Sequence, residues 1–221
     1  QPQVLFLENV KNFLGHSDGK TLATTLRLLN RAGYDVHYSL LNASHYGVAQ
    51  KRERVYFVAF RKDLGITEFH FPEPTNVDCA VEDILLPEND PRLDDLVIER
   101  EDLRLKLELP NERENRPIRI GTVGKGGQGE RVYSPKGHAI TLSAFGGGIG
   151  AKTGMYLIDQ RIRRLHPEEC AHLMGFPEGF QLHDRPNVCY KQFGNSVAVP
   201  VVRAVFKSIE QALETQSLQA A

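Results

Sequence analysis

The chain has little cysteine, and what it has is badly spaced for metal or disulfide chemistry. Cys79, Cys170 and Cys189 are three in number and no two form a CxxC pair. A disulfide framework or a zinc site is therefore not expected, and a reducing, cytoplasmic setting fits. No apolar stretch approaches the roughly 20 residues needed to span a bilayer, and no charged-then-apolar signal segment precedes Gln1. An initiating Met is also missing, which suits a fragment or a processed chain. Neither sign of charge is in excess. With a formal net charge of −1, no single field covers the protein, and a nucleic-acid site has to be a local patch. No internal repeat is present. What remains, 221 residues with 41% hydrophobic and 25% charged, is the composition of an ordinary soluble globular protein of one or two domains.

Basic residues do gather locally, at Lys51-Arg52 with Arg54, at Lys125 with Arg131, at Lys136, and at Arg161, Arg163 and Arg164. Any one of these alone reads as a solvated face. The run Val4 to Leu7 is short, continuous and apolar, the pattern of a buried parallel strand. Lys20 to Arg31 is expected to be a helix, with Leu22, Leu26 and Leu29 on one face and Gly33 as its stop. Tyr34, Val36, Tyr38 and Leu40 alternate with polar residues, and Val55 to Phe60 is a second strong strand. Strand, helix, strand, loop, strand describes the later part of an α/β sheet. From Arg61 to Arg116, prolines at 72, 74, 87, 91 and 110 punctuate a charged stretch that reads as a connector with short elements. Arg119 to Leu157 is glycine-dense, with short β pieces such as Ile118 to Ile120 and Ala139 to Ser143. It reads as a small β domain whose backbone comes close to something, or as plain hairpin turns. Pro167 to Met174 is expected to be a short helix with Glu168 and Glu169 at its positive end. A terminal helix is expected from Ser196 or Val197 to Leu213, followed by a frayed tail.

Three groups of residues could carry chemistry. Glu8, in Glu8-Asn9-Val10, stands just past the first strand, where open α/β sheets place ligands. By itself it also reads as a cap or an ion-pair partner. Arg52 and Arg54 are two apart at the entry to a strand, and alternation would put them on one side. Two guanidiniums there repel unless anions or carbonyl oxygens lie between them, and the plain reading is surface arginines paired with Glu53 or another acid. Asn195 and Ser196 would give short polar groups to a helix N-terminus, as a cofactor contact, an N-cap or both. His166 and His172 lack ligand-spaced partners, so no metal is expected, and Cys170 reads as a packed small residue.

Taken in order, Glu8-Asn9-Val10, Gln50-Lys51-Arg52-Glu53-Arg54 and Gln192-Phe193-Gly194-Asn195-Ser196-Val197 resemble the later motifs of the DNA cytosine-5 methyltransferases. The stretch from Arg119 through Lys125, Gln128 and Arg131 to Ser134, continued from Gly137 to Gly148, is similar to the target-recognition domain of the HhaI-type, GCGC-reading bacterial modification methylases. The segment from Arg163 to Pro177 resembles the family motif that braces that domain. The resemblance implies the C-terminal part of a Rossmann-like methyltransferase sheet plus a small Gly-rich, mainly β target-recognition domain. On that reading residues 1–70 are the second half of the catalytic domain, 71–116 a connector, 117–190 the recognition domain, and 191–221 a return to the catalytic domain.

The resemblance further implies S-adenosyl-L-methionine as cofactor and double-stranded DNA as partner, acted on near the bacterial nucleoid within a restriction-modification system. Carbon 5 of cytosine is a poor nucleophile, so a thiolate must add at carbon 6 while other groups meet charge at N3, N4 and O2. Glu8 would contact N3 and N4, and burial would raise its pKa so that it can donate a proton. Of Arg52 and Arg54, one would contact O2 and the other hold the substrate or the catalytic loop. The base must be flipped from the stack. Gln128 would fill the gap, Arg131 would read a guanine edge, Lys125 would meet a phosphate, and Thr141, with Ser143 beside it, the target-strand backbone. Asn195, Ser196 and Val197 would close one side of the cofactor pocket. Phe145 stands where the nearest members known to us carry tyrosine. No Pro-Cys dipeptide occurs, since the residues before the three cysteines are Asp78, Glu169 and Val188, and no Gly-rich cofactor turn follows a first strand. The expectation is a chain with an incomplete cofactor pocket, inactive alone and completed by an N-terminal half. A non-catalytic DNA-binding module and a truncated remnant are the alternatives.

Overall fold

The computed structural model describes residues 1–219. The chain folds into two compact units, one made of Gln1–Asn42, Glu53–Pro74 and the chain from Val201, the other of Ala43–Arg52 and Thr75–Pro200.

The first unit is built on β1 (Val4–Val10), α1 (Lys20–Arg31), β2 (Tyr34–Asn42) and β3 (Glu53–Arg61). The strands form a sheet of order β1-β3-β2, with β3 antiparallel to both neighbours. The unbroken apolar run from Val55 to Phe60 occupies the centre and is buried throughout, because a central strand covered on both faces has no polar face to offer. The expected buried parallel first strand is corrected here. β1 runs on through Glu8 to Val10, pairs antiparallel with β3, and is only half-buried, since it has a hydrogen-bonded neighbour on one side alone. Glu8 is accordingly within the strand rather than past its end. Alternation in β2 located the strand correctly, but Tyr38 and Leu40 are exposed while Leu41 is buried. One face of this sheet is covered by the long helix α4 (Val199–Gln219), where Phe206 meets Phe6 edge-on at 5.3 Å and Phe6 stacks on Tyr56 at 5.8 Å. α1 has the expected bounds, and Gly33, at φ +92°, takes the left-handed turn that ends it.

The second unit holds a five-stranded sheet, in the order β4 (Arg104–Leu105), β5 (Arg119–Thr122), β6 (Arg131–Tyr133), β7 (Met155–Ile158) and β8 (Arg161–Arg163). The β6–β7 pair is parallel and the other pairs are antiparallel. Ile118, Ile120, Val123, Val132, Met155 and Ile162 form its core. Ala139 to Ser143 is not a strand, contrary to expectation. Ala139 makes one isolated bridge, to Gln50, and the rest of the segment serves loop contacts. Two helices follow, α2 (Pro167–Leu173) and α3 (Pro186–Asn195). α3 was not anticipated, and it changes the setting of the last motif. Asn195 ends α3 and Ser196 is its C-cap, whereas α4 starts only at Val199. The expected helix N-terminus at Asn195 and Ser196 is therefore a helix C-terminus followed by a short connection.

All three cysteines are free. Among the described residues no group of His, Cys, Asp or Glu could hold a metal ion, and no helix is long and apolar enough to cross a membrane.

Candidate functional site

In the first unit β1 and β3 bring Glu8 and Arg54 onto the same face of the sheet, since Glu8 lies opposite Tyr56 and Val10 opposite Arg54. Arg54 Nε lies 3.0 Å from Glu8 Oε1, with side-chain exposures of 14% and 25%. Glu8 is a quarter exposed and ion-paired, as its plain reading had it, whereas the catalytic reading called for a buried carboxyl. Arg54 also donates through its Nη1 to the Glu53 carbonyl at 2.9 Å. A carboxylate acceptor and a five-donor guanidinium held side by side can meet a planar ring that carries both an amino donor and carbonyl acceptors.

Arg52 does a different job. It precedes β3, so strand alternation does not extend to it, and it lies in the second unit. It is 3% exposed. Its Nη2 donates to the Gly194 carbonyl at 3.2 Å and to the Ser196 carbonyl. The two arginines thus have separate counter-groups, carbonyl oxygens for Arg52 and a carboxylate for Arg54. Gln50 is fully buried, and its amide donates to Met174 Sδ at 3.6 Å while its carbonyl oxygen has no partner among the described residues.

The segment around Arg52 also holds the chain at Ala139 and Thr141. Ala139 donates to the Ala49 carbonyl at 2.7 Å, Lys51 donates to the Ala139 carbonyl at 3.2 Å, and the Thr141 hydroxyl donates to the Lys51 carbonyl at 2.6 Å. Ser143 is half-buried. Its amide donates to the Lys152 carbonyl at 2.9 Å, and its hydroxyl oxygen accepts from the Phe145 amide at 3.4 Å. A cleft of about 470 Å³ opens here, lined by Gln128, Thr141, Ser143, the Gly146–Gly148 run and Lys152. Gln128 opens a short 3-10 turn ending at Glu130 and its side chain is exposed. Arg131 begins β6, with its Nε buried and without a hydrogen-bond partner among the described residues. Lys125 stands exposed on the preceding glycine turn.

Three residues around this cleft escaped the sequence reading. Glu130 accepts the Gly127 amide at 2.8 Å, and a Cβ on Gly124 would meet its Oε1 at 2.6 Å, so this carboxylate sits against two glycines of the turn. Asp102 anchors the other end, accepting the Gly124 amide at 2.9 Å, and the hydrogen bond from Arg100, followed by that amide, holds its carboxyl well below the usual carboxylate range. Lys152 adopts φ +75°, a strained conformation for a non-glycine residue. Its amine donates to Asn187 Oδ1 at 3.0 Å and lies 5.9 Å from the Tyr190 ring centroid. No spacing in the sequence marks Asp102 or Lys152, because their partners Gly124 and Asn187 lie 22 and 35 residues away.

The last motif offers short polar groups at the α3–α4 connection. Asn195 is exposed, the half-buried Ser196 donates its hydroxyl to the Val197 carbonyl at 3.2 Å, and Val197 is half-buried. A model of the C-5 cytosine-specific DNA methylases matches residues 1–211. The chain belongs to this family. The Type II methyltransferase M.HhaI of Haemophilus parahaemolyticus is 46% identical over 213 residues, which cover 96% of this chain and 64% of that enzyme. The Type II methyltransferase M.Bsp6I of Bacillus sp. (strain RFL6) is 34% identical over 218 residues, 96% of this chain and 67% of the relative. The family member described here thus spans about two thirds of the length of these curated relatives. Among solved structures, the Dnmt2 methyltransferase of S. pombe aligns with a TM-score of 0.66 at 18% identity, covering 97% of this chain and 66% of that one. The Entamoeba histolytica methyltransferase EhMeth aligns with a TM-score of 0.66 at 16% identity, covering 96% and 62%. At such identities the likeness is one of fold, a mixed α/β architecture of the Rossmann-like methyltransferase kind.

Proposed function

We propose that this family member is the target-recognition and catalytic-support portion of a DNA cytosine-5 methyltransferase, completed by an N-terminal portion that carries the Pro-Cys nucleophile and most of the cofactor site. The observation that carries the reading is the Glu8–Arg54 pair at 3.0 Å. A protein that only binds DNA has no need for a carboxylate and a guanidinium paired on a sheet face. Family membership supports cytosine as the ring that they meet, with Glu8 at N3 and N4 and Arg54 at O2, where they would hold a proton at N3 and meet charge that develops as carbon 6 is attacked. Arg52 would act at one remove, through the carbonyls of Gly194 and Ser196.

The cleft beside Gln128, Thr141 and Ser143 suits DNA. Gln128 would enter the gap left by the flipped cytosine, Arg131 would read guanine in GCGC, and Lys125 would meet a phosphate. The Thr141 hydroxyl proton is already given to Lys51, so Thr141 meets the DNA backbone either by turning that proton or through an ordered water. Asn195, Ser196 and Val197 fit one wall of an S-adenosyl-L-methionine site, since the exposed Asn195 amide and the Ser196 oxygen are still able to accept or donate while the carbonyls of that turn are occupied by Arg52. When bound, S-adenosyl-L-methionine supplies an electrophilic methyl group. We place the activity in a restriction-modification setting in the bacterial cytoplasm, as the names of the relatives suggest.

The test is labelled methyl transfer to a GCGC duplex. The chain alone is expected to give none, and mixing it with the N-terminal portion of a related enzyme is expected to restore it. Robust turnover by the pure chain would sink the reading. Site-specific binding with no transfer in either case would favour a recognition module instead. A second expectation concerns Arg131. Its replacement by Ala in the complemented enzyme should cost about 1–3 kcal/mol of discrimination at one guanine position. Competition between GCGC and singly substituted duplexes measures this, and an unchanged preference removes Arg131 from the reading role.

A further inference from the structure

Gly194 stands where no side chain fits. A Cβ there would lie 2.3 Å from the Ala144 nitrogen and 2.6 Å from the Ser143 carbonyl carbon. Both are backbone atoms, which cannot turn aside as the end of a flexible side chain can. On the same residue, the carbonyl is gripped by the buried Arg52 at 3.2 Å. The end of α3 is therefore pressed on the Ser143–Gly148 loop and pinned there.

The same loop presses on the turn that carries Gln128. A Cβ on Gly129 would lie 2.2 Å from the Gly147 carbonyl oxygen, and Gly150 donates to the Gly129 carbonyl at 2.8 Å. Ser143 is tied to Lys152 at the loop's other end. A push at Gly194 falls directly on the Ser143–Ala144 backbone. From Ser143 the hydrogen bond to Lys152 leads to the buried Gly150 and so to the Gly129 carbonyl, beside Gln128.

We infer that Gly194 is a positioning residue for target recognition: its bare Cα sets where the Ser143–Gly148 loop stands and, through Gly129, where Gln128 stands. This rests on the reading of Gln128 as the residue that enters the gap left by the flipped base. It makes the turn next to the proposed cofactor wall and the DNA-reading loop one mechanical piece, with Gly194 as the joint.

The test uses the complemented enzyme with Gly194→Ala. The probe is a GCGC duplex carrying 2-aminopurine in place of the target cytosine, whose fluorescence rises when the base leaves the stack. In the parent enzyme the fluorescence is expected to rise on binding. In Gly194→Ala the rise is expected to fall at least threefold at saturating protein, kcat/KM for DNA to fall about 10- to 100-fold, and preference for GCGC over singly substituted sites to narrow. The KM for S-adenosyl-L-methionine is expected to stay within twofold. Gly129→Ala, which meets the same loop from its other side, is expected to show the same losses and keeps the test sound if Gly194→Ala does not fold. Parent-like fluorescence and site preference in a folded Gly194→Ala enzyme overturn the inference. So does a rise in cofactor KM as its only defect, which would confine Gly194 to the cofactor wall. A parent enzyme that methylates GCGC but gives no fluorescence rise defeats the base-replacement reading of Gln128 and this inference with it, whereas a parent that does not methylate at all defeats the proposed function.

Discussion

Arg54→Ala in the complemented enzyme is expected to lower methyl transfer by about 10²–10³-fold, the usual consequence of deleting one preorganised donor that faces developing charge. DNA affinity is expected to change less than threefold. The asymmetry follows from where Arg54 is. Its Nε is 3.0 Å from Glu8 and its Nη1 is tied to the Glu53 carbonyl, so the guanidinium is oriented before any ligand arrives and its deletion removes oriented charge rather than a phosphate contact. Arg54→Lys is expected to recover little, because an ammonium has neither the planar fork nor the reach to serve Glu8 and a ring oxygen together. Single-turnover rates alongside equilibrium DNA binding decide the matter. Equal losses in both would mean that Arg54 is a DNA-binding residue, and the catalytic assignment of the Glu8–Arg54 pair would fall with it.

The second large effect concerns stability. Glu169→Ala is expected to cost about 3–5 kcal/mol, because it leaves a buried guanidinium without its counter-charge. Arg163 and Glu169 have side-chain exposures of 2% and 0%. Their contact is bidentate, at 2.8 Å and 2.7 Å, and Glu169 also accepts the amides of Leu86 at 2.9 Å and His166 at 2.7 Å. One carboxylate thus ties β8, the start of α2 and the 81–86 segment together. His166 completes the helix start, accepting the Glu168 amide on Nδ1 at 3.2 Å, and burial followed by the nearby Arg92 pushes its pKa down, in keeping with a neutral, accepting ring. Glu169→Gln removes the same charge and sets its amide nitrogen against N–H donors on either side, so a comparable loss is expected. Urea unfolding of the chain itself measures both. A loss below about 1 kcal/mol for Glu169→Ala would place it among ordinary surface changes and remove the brace.

Much of the candidate site was legible because its signals are local. Gln50, Arg52 and Arg54 are spaced by the motif itself, and the glycines around Gln128 announce a loop in which the backbone comes close to something, and a Cβ on Gly129 would indeed lie only 2.2 Å from the Gly147 carbonyl oxygen. Burial of Cys170 pushes its thiol well above the usual range, in keeping with a packed residue rather than a nucleophile. What stayed illegible depends on partners far away in sequence. Arg52 and Arg54 look equivalent on paper, yet one is 142 residues from its carbonyl partner Gly194 and the other meets Glu8 across a strand pair. The glutamates at 168 and 169 suit a helix start equally well, and only folding buries the second against Arg163.

By itself the sequence determined the family motifs, the bounds of α1, the wholly apolar β3 and the glycine-dense stretch around Gln128, since periodicity, capping and turn preference are properties of neighbours along the chain. The tertiary structure decided the rest. It set β3 between β1 and β2 and antiparallel to both, ended α3 at Asn195, separated the duties of the two arginines and pressed Gly194 onto Ala144. Strand order, ion-pair choice and backbone contact are settled by which distant segments pack together, and that free energy is written in no single stretch of the chain.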